Sequence, residues 1–311
     1  MRLAAVLLAI AVTTTAARTA QAQSGCSPVA IDSVRVLGDV FRLADDSMKG
    51  RRLGTPGGAM ARDFLATQFD VIGLGIAGGG RVAPFPAGDL HGANVVGVIR
   101  GRTAPESWIV VSAHYDHLGV GPPVAGDSIY NGADDNGSGA AGLLAIARHF
   151  VAQPPAHSLL FVAFDGEEEG DLGSRALVAK PPVPLANMLI DVNLDMVGRN
   201  ANGELYAAGP NRFPALRPAV EATAACAGLK LIIGHDVPGD RVHDDWTGQS
   251  DQAAFFAAGI PFVYFGEEDH PDYHRPSDSA DRLMPGFYMA AVRAAIGFIR
   301  RFDAAPVSRQ P

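Results

Sequence analysis

Leu159-Leu160-Phe161-Val162-Ala163-Phe164-Asp165-Gly166-Glu167-Glu168-Glu169-Gly170 is an apolar run that passes without transition into Asp165 and three consecutive glutamates. A short, continuous apolar run reads as a strand buried on both faces. The three neighbouring carboxylates repel one another, a cost that a surface turn tolerates and a metal site converts into affinity. Adjacent glutamates with different tasks, one binding metal and one moving protons, are what hydrolysis through a metal-held water uses.

The same construction recurs along the chain. Val110-Val111-Ser112-Ala113-His114-Tyr115-Asp116-His117 is an apolar strand ending in a His-x-Asp pair. Residues i and i+2 share a face of an extended chain, so Asp116 is in reach of the His114 imidazole. A ligating histidine commonly gives its second nitrogen to such a carboxylate. Asn131-Gly132-Ala133-Asp134-Asp135-Asn136-Gly137-Ser138-Gly139 sets two acids before an apolar stretch, where acids also serve as ordinary helix caps. The run 189–194 leads into Asp195, and a further strand-like run, 261–265, leads into a segment carrying His270 and His274. Each segment has a plain structural reading by itself. Jointly, five strand ends deliver His, Asp, Glu, Asp and His to one edge of a sheet, and that donor set suits zinc better than calcium.

Between these signals, apolar runs alternate with helical ones. Helix-like stretches are expected at 31–43, 59–69, 139–150, 174–180 and 285–302, and strands at 93–99, 108–112, 158–164, 188–192 and 261–265. The strands at 93–99 and 108–112 suit a hairpin or adjacent strands. The expected fold is a single α/β domain with a central mixed, mostly parallel β-sheet flanked by helices, whose site forms at the carboxyl ends of its strands. The Gly/Pro-rich segment 73–88 reads as an exposed loop. Residues 73–78 and 137–142 both satisfy GxGxxG formally, but the first leads into Pro84 and Pro86 and the second lies in an acidic segment that repels pyrophosphate. The sequence has no GxSxG elbow, Walker loop or HExxH helix.

Met1-Arg2, an apolar run over 3–12 and Ala20-Gln21-Ala22 have the order of a secretory signal peptide, and the run is too short to span a membrane. The expected organisation is a signal peptide at 1–22, a hydrolase domain over 23–311, and export to the periplasm or the exterior. The whole chain has a net charge of −8, and losing Arg2 and Arg18 leaves about −10, which argues against nucleic acid as a partner. Cys26 and Cys226 are the two cysteines. Export permits a bridge between them; lipidation of Cys26 is the other reading, although Gln23-Ser24-Gly25 lacks the apolar residue of a lipobox.

Taken together, these residues resemble the secreted bacterial two-zinc aminopeptidases, a family that also includes glutamate carboxypeptidases and, more distantly, glutaminyl cyclases. The resemblance runs from Gly50-Arg51-Arg52-Leu53-Gly54-Thr55-Pro56-Gly57 through Tyr273-His274-Arg275-Pro276-Ser277-Asp278. It implies two Zn2+ ions bridged by Asp134, with His114 and Asp195 on one and Glu168 and His274 on the other. It further implies Glu167 as general base, Asp116 behind the first histidine, and Asp135 as the residue after a cis peptide that shapes the bridging Asp. The implied substrate is a peptide with a free N-terminus, cleaved by a water shared between the ions. Gln252, in Ser250-Asp251-Gln252, stands where the family commonly has histidine, which puts substrate contacts from that segment in doubt. A carboxypeptidase-type member, using Arg199, Arg241 or Arg275 to hold a terminal carboxylate, and a non-catalytic metal-binding ectodomain are the alternatives. His117, His235 and His270 carry no expected role.

Overall fold

The computed structural model describes residue 26, residues 29–240 and residues 242–305. The expected signal peptide and Arg241 lie outside these residues. Helix α1 (Ser33–Leu43) starts on the Asp32 side chain, which accepts from the Arg35 amide, and α2 (Pro56–Ile72) on Thr55, followed by Pro at its first position. Gly73 ends α2 in the left-handed region.

The sheet begins with β1 (Val82–Ala87) and β2 (Leu90–Ile99), an antiparallel pair. Here the expectation of a loop over 73–88 fails for 82–87, which form β1. Pro84 and Pro86 are tolerated because β1 is an edge strand, where missing amides cost no ladder bond. Next come β3 (Ala104–His114), the small antiparallel pair β4 (Gly119–Val124) and β5 (Asp127–Tyr130), α3 (Gly139–Ala152) and β6 (His157–Phe164). Strand β6 inserts between β2 and β3, so those two are neither a hairpin nor adjacent. It pairs antiparallel with β2 and parallel with β3. After α4 (Leu172–Ala179) follow β7 (Met188–Leu194), β8 (Glu204–Ala208), α5 (Arg217–Ala224), β9 (Lys230–Ile233), α6 (Gln252–Ala257), β10 (Phe262–Gly266) and α7 (Pro285–Ala304). The eight strands run in the order β1-β2-β6-β3-β7-β10-β8-β9, with β6, β3, β7 and β10 forming a parallel centre.

That centre is covered on both sides, as its unbroken apolar sequence requires. Ile109, Val111, Leu159, Phe161, Ile190 and Val192 face a core shared with α1, α2, α3 and α7. Val110, Leu160, Val162 and Phe164 face the opposite core with Leu177 of α4 and Phe255 of α6. Among the described residues no helix is long and apolar enough to cross a membrane. Cys26 and Cys226 form a disulfide that ties the leading segment to the end of α5.

One acid is enclosed within the sheet. Asp191 of β7 is fully buried, accepts from Ser112 Oγ at 2.7 Å, and is pushed by burial up to about 7. The unfolded chain releases this proton near 3.8, so between that pH and about 7 the folded state binds more protons and stability falls as pH rises. Replacing Asp191 by Asn removes the penalty. The gain relative to wild type, read by urea unfolding, is expected to be absent below pH 4, to grow to on the order of 3–4 kcal/mol by pH 7, and to level off above it; a pH-independent difference would contradict this account.

Candidate metal centre

The carboxyl ends of β3, β6, β7 and β10 meet at one edge of the sheet, and each delivers a polar side chain there. His114 is the last residue of β3, Asp195 follows β7, and Glu167 and Glu168 follow β6 after Gly166, which takes φ +75°. His274 comes from the loop after β10 in the left-handed region, with its ring stacked on Tyr273.

Asp135, not Asp134, lies at the centre. Its Oδ1 is 3.4 Å from His114 Nε2, and His114 Nε2 is 3.2 Å from Asp195 Oδ1. Its Oδ2 is 3.1 Å from His274 Nε2, which is 3.3 Å from Glu168 Oε2. The acid between the two histidine–carboxylate pairs is therefore one residue on from the expected Asp134, and the cis bond, expected before Asp135, joins Asp135 to Asn136. The physical reason is the backbone path: Asp135 and Asn136 adopt non-helical φ/ψ inside the helical turn, so the two adjacent acids point to different places. Asp134 Oδ1 accepts from the Gly198 amide at 2.7 Å, and its Oδ2 faces His270 Nε2 at 3.3 Å beside Glu267. Burial and the neighbouring Asp134 push Glu267 up to about 12, so it keeps its proton. His270 Nδ1 accepts the Asp272 amide, which leaves the proton on Nε2, toward Asp134.

The three glutamates have three fates. Glu169 turns out to a salt bridge with Arg52 at 2.8 Å, Glu168 turns in to His274, and Glu167 lies with its carboxylate 4.0 Å from His114 Nε2. Asp116 holds this segment: its carboxylate accepts from the Glu167 and Glu168 amides at 3.1 and 3.3 Å and stands 3.6 Å from His114 Nδ1. Asp278, absent from the expected set, accepts from the amides of Asp134 and Asp135 at 3.0 Å. His117 is also brought in, with Nδ1 2.6 Å from Glu168 Oε1. Its signal in the sequence was its place at the end of the same strand as His114. Gln252 is buried and bridges Asn193 to the Trp246 carbonyl, so it is a structural strut.

Charge within the site is ordered by proximity. Burial works against both histidines, yet Asp195 and Glu167 hold His114 well above its ordinary range, and Asp135 and Glu168 hold His274 up, to about 10. Asp135 is held well below the usual carboxylate range, against its own burial, by His117, His114 and His274. Glu167 goes the other way: burial, then Asp195, Asp251 and Glu168, raise it well above the ordinary value against His114. Ligand atoms on a tetrahedral zinc with bonds of about 2.0–2.2 Å lie roughly 3.3–3.5 Å apart. The four separations around Asp135, 3.1–3.4 Å, fit that edge closely on both sides of its carboxylate.

Beneath the site lies Arg51, fully buried. Its guanidinium donates to the carbonyls of Tyr115, Leu43, Asn131 and Gly132, which fixes the loop after β3 and the loop before Asp134 against each other. Burial lowers Arg51 to about 10, and the nearby Asp278, Asp135, Asp116 and Glu168 oppose the loss of its proton.

At the carboxyl edge of a parallel-centred sheet, two histidines and three carboxylates thus lie close together, a donor set suited to a divalent metal. The model of Peptidase family M28 matches residues 94–299, and the chain belongs to that family. Aminopeptidase YwaD of Bacillus subtilis (strain 168) is 32% identical over 200 residues, covering 61% of this chain and 40% of its own length. A probable zinc metalloprotease of Pyrenophora teres f. teres (strain 0-1) is 36% identical over 145 residues, 46% of this chain and 30% of its own. The chain therefore spans well under half the length of these curated relatives. Among solved structures, the zinc aminopeptidase BSAP from Bacillus subtilis superimposes with a TM-score of 0.71 at 17% identity, over 89% of this chain and 96% of that one. Porphyromonas gingivalis glutaminyl cyclase does so with a TM-score of 0.72 at 21% identity, over 88% and 99%. At these identities the likeness shows the fold.

Substituting Arg51 by Met keeps the stem's bulk and strips four buried carbonyls of their donor. Stability by urea unfolding is expected to fall by about 3–5 kcal/mol, with Lys at that position recovering part of it. A loss under about 1 kcal/mol in Arg51→Met would show that other donors serve these loops.

Proposed function

We propose that the chain is an exported zinc aminopeptidase that hydrolyses the first peptide bond of substrates with a free N-terminus. In this reading His114, Asp135 and Asp195 hold one zinc ion, and Asp135, Glu168 and His274 hold a second. The observation that carries it is the division of Asp135, one oxygen at ligand-edge distance from each histidine–carboxylate pair. When bound, two such ions supply an activated shared water and polarise the scissile carbonyl.

The chain's own residues do the rest. Glu167 stands beside His114 but outside both ligand sets, free to take the water's proton and pass it to the departing amine. Its raised proton affinity suits that task. Asp116 keeps Glu167 and Glu168 in register through their amides while facing the back of His114. Acidic surroundings favour a cationic substrate end, the free α-amino group. A terminal carboxylate finds less support: Arg199 is engaged with Asp272 at 2.7 Å, and Arg275 is exposed. The signal-like leader and the Cys26–Cys226 bridge support export.

The test is an assay of the purified protein on aminoacyl-anilides beside N-blocked and C-terminal peptide substrates, before and after chelation and with zinc restored. Release only from unblocked N-termini, abolished by chelator, is expected. Glu167→Gln should lower kcat at least 10²–10⁴-fold with zinc content unchanged. Cleavage at the carboxyl end would keep the metal centre and overturn the specificity; zinc binding without turnover on any substrate would favour a binding ectodomain.

A further inference from the structure

His117 is fully buried, and its Nδ1 lies 2.6 Å from Glu168 Oε1. That separation is a charge-assisted hydrogen bond and is too short for two donors on one tetrahedral ion, whose edges are roughly 3.3 Å. The pairs around Asp135 have the longer spacing; this pair does not. The other nitrogen, Nε2, is buried and has no hydrogen-bond partner among the described residues. Oε1 is the acceptor that faces the ring, so Nδ1 carries a proton and donates it to Oε1.

Glu168 is thereby divided, with Oε1 held by His117 and Oε2 turned toward His274 at 3.3 Å. The ring's seat is specific. A Cβ at Gly132 would lie 2.5 Å from His117 Cγ and Cδ2, and Gly132 takes φ +56°, so the loop before Asp134 is shaped to admit the imidazole. The carbonyl of that same Gly132 is one of those that Arg51 grips. We propose that His117 is a positioning residue, which fixes the rotamer of Glu168 so that a single oxygen faces the second ion. This rests on the two-ion reading above.

The experiment is zinc titration against a chromogenic chelator of the wild type, His117→Leu and His117→Asn, with thermal unfolding of each to confirm folding. Asn can place an amide N–H near the Nδ1 position, and Leu cannot. The expected result is a 10–100-fold weaker second zinc in His117→Leu, an unchanged first zinc, and recovery to within a few-fold of wild type in His117→Asn. Peptidase kcat at limiting zinc should fall in parallel in His117→Leu and return with excess zinc, without a change in KM. An unaltered second zinc in a folded His117→Leu would overturn the proposal. Loss in both variants matching that of His274→Ala would overturn it too, by making His117 itself a ligand, and so would a wild type that binds a single zinc. Because the first readout is zinc binding, its expected outcome without turnover of any aminoacyl substrate would refute the aminopeptidase reading alone.

Discussion

One buried guanidinium carries the geometry of the site. Arg51 directs its donors to backbone carbonyls from α1, the loop after β3 and the loop before Asp134, and forms no ion pair among the described residues. The first of those loops runs from His114 through Asp116 to His117, the second leads into Asp134 and Asp135, and neither is a regular element able to satisfy its own carbonyls. A cation beneath a group of acids also relieves part of their mutual repulsion. The same group thus settles where the loops run and lowers the cost of crowding carboxylates above it.

Upon that base a second layer of anchors sets individual side chains. Asp278 gathers the amides of Asp134 and Asp135, Asp116 gathers those of Glu167 and Glu168, and Asn136 joins the Leu194 carbonyl to the Gly139 and Met196 amides. Each polar anchor is itself buried, which narrows its freedom and that of the groups it holds. The functional carboxylates are therefore oriented mainly through their backbones.

Much of this was legible in the sequence because a buried parallel sheet must write its strands as apolar runs and end them abruptly. His114, Glu167, Glu168 and Asp195 stand at or just past those ends, with His274 in the loop that follows β10. Asp134 and Asp135 were not separable, since two adjacent acids in a glycine-rich loop differ only in the local backbone turn that sends them apart. Asp278 acts through contacts 144 positions away, for which no local pattern exists, and the tie of His117 to Glu168, 51 positions on, had no signal beyond its nearness to His114. The strands β8 and β9 are short and border the sheet's far side, and β1 was hidden by its prolines. The position of β6 between β2 and β3 is a matter of crossover, which periodicity does not encode.

Those prolines have a consequence of their own. The Val96 amide bonds the Arg81 carbonyl, so the odd-numbered residues of β1 face β2 and the even-numbered ones face outward. Pro84 and Pro86 therefore remove two donors from the outer rim of the sheet. At the opposite rim β9 spans only Lys230–Ile233 and opens with an exposed lysine. Neither flank offers a long row of free amides and carbonyls on which a strand from another molecule could add, so the open sheet is closed to templated self-association.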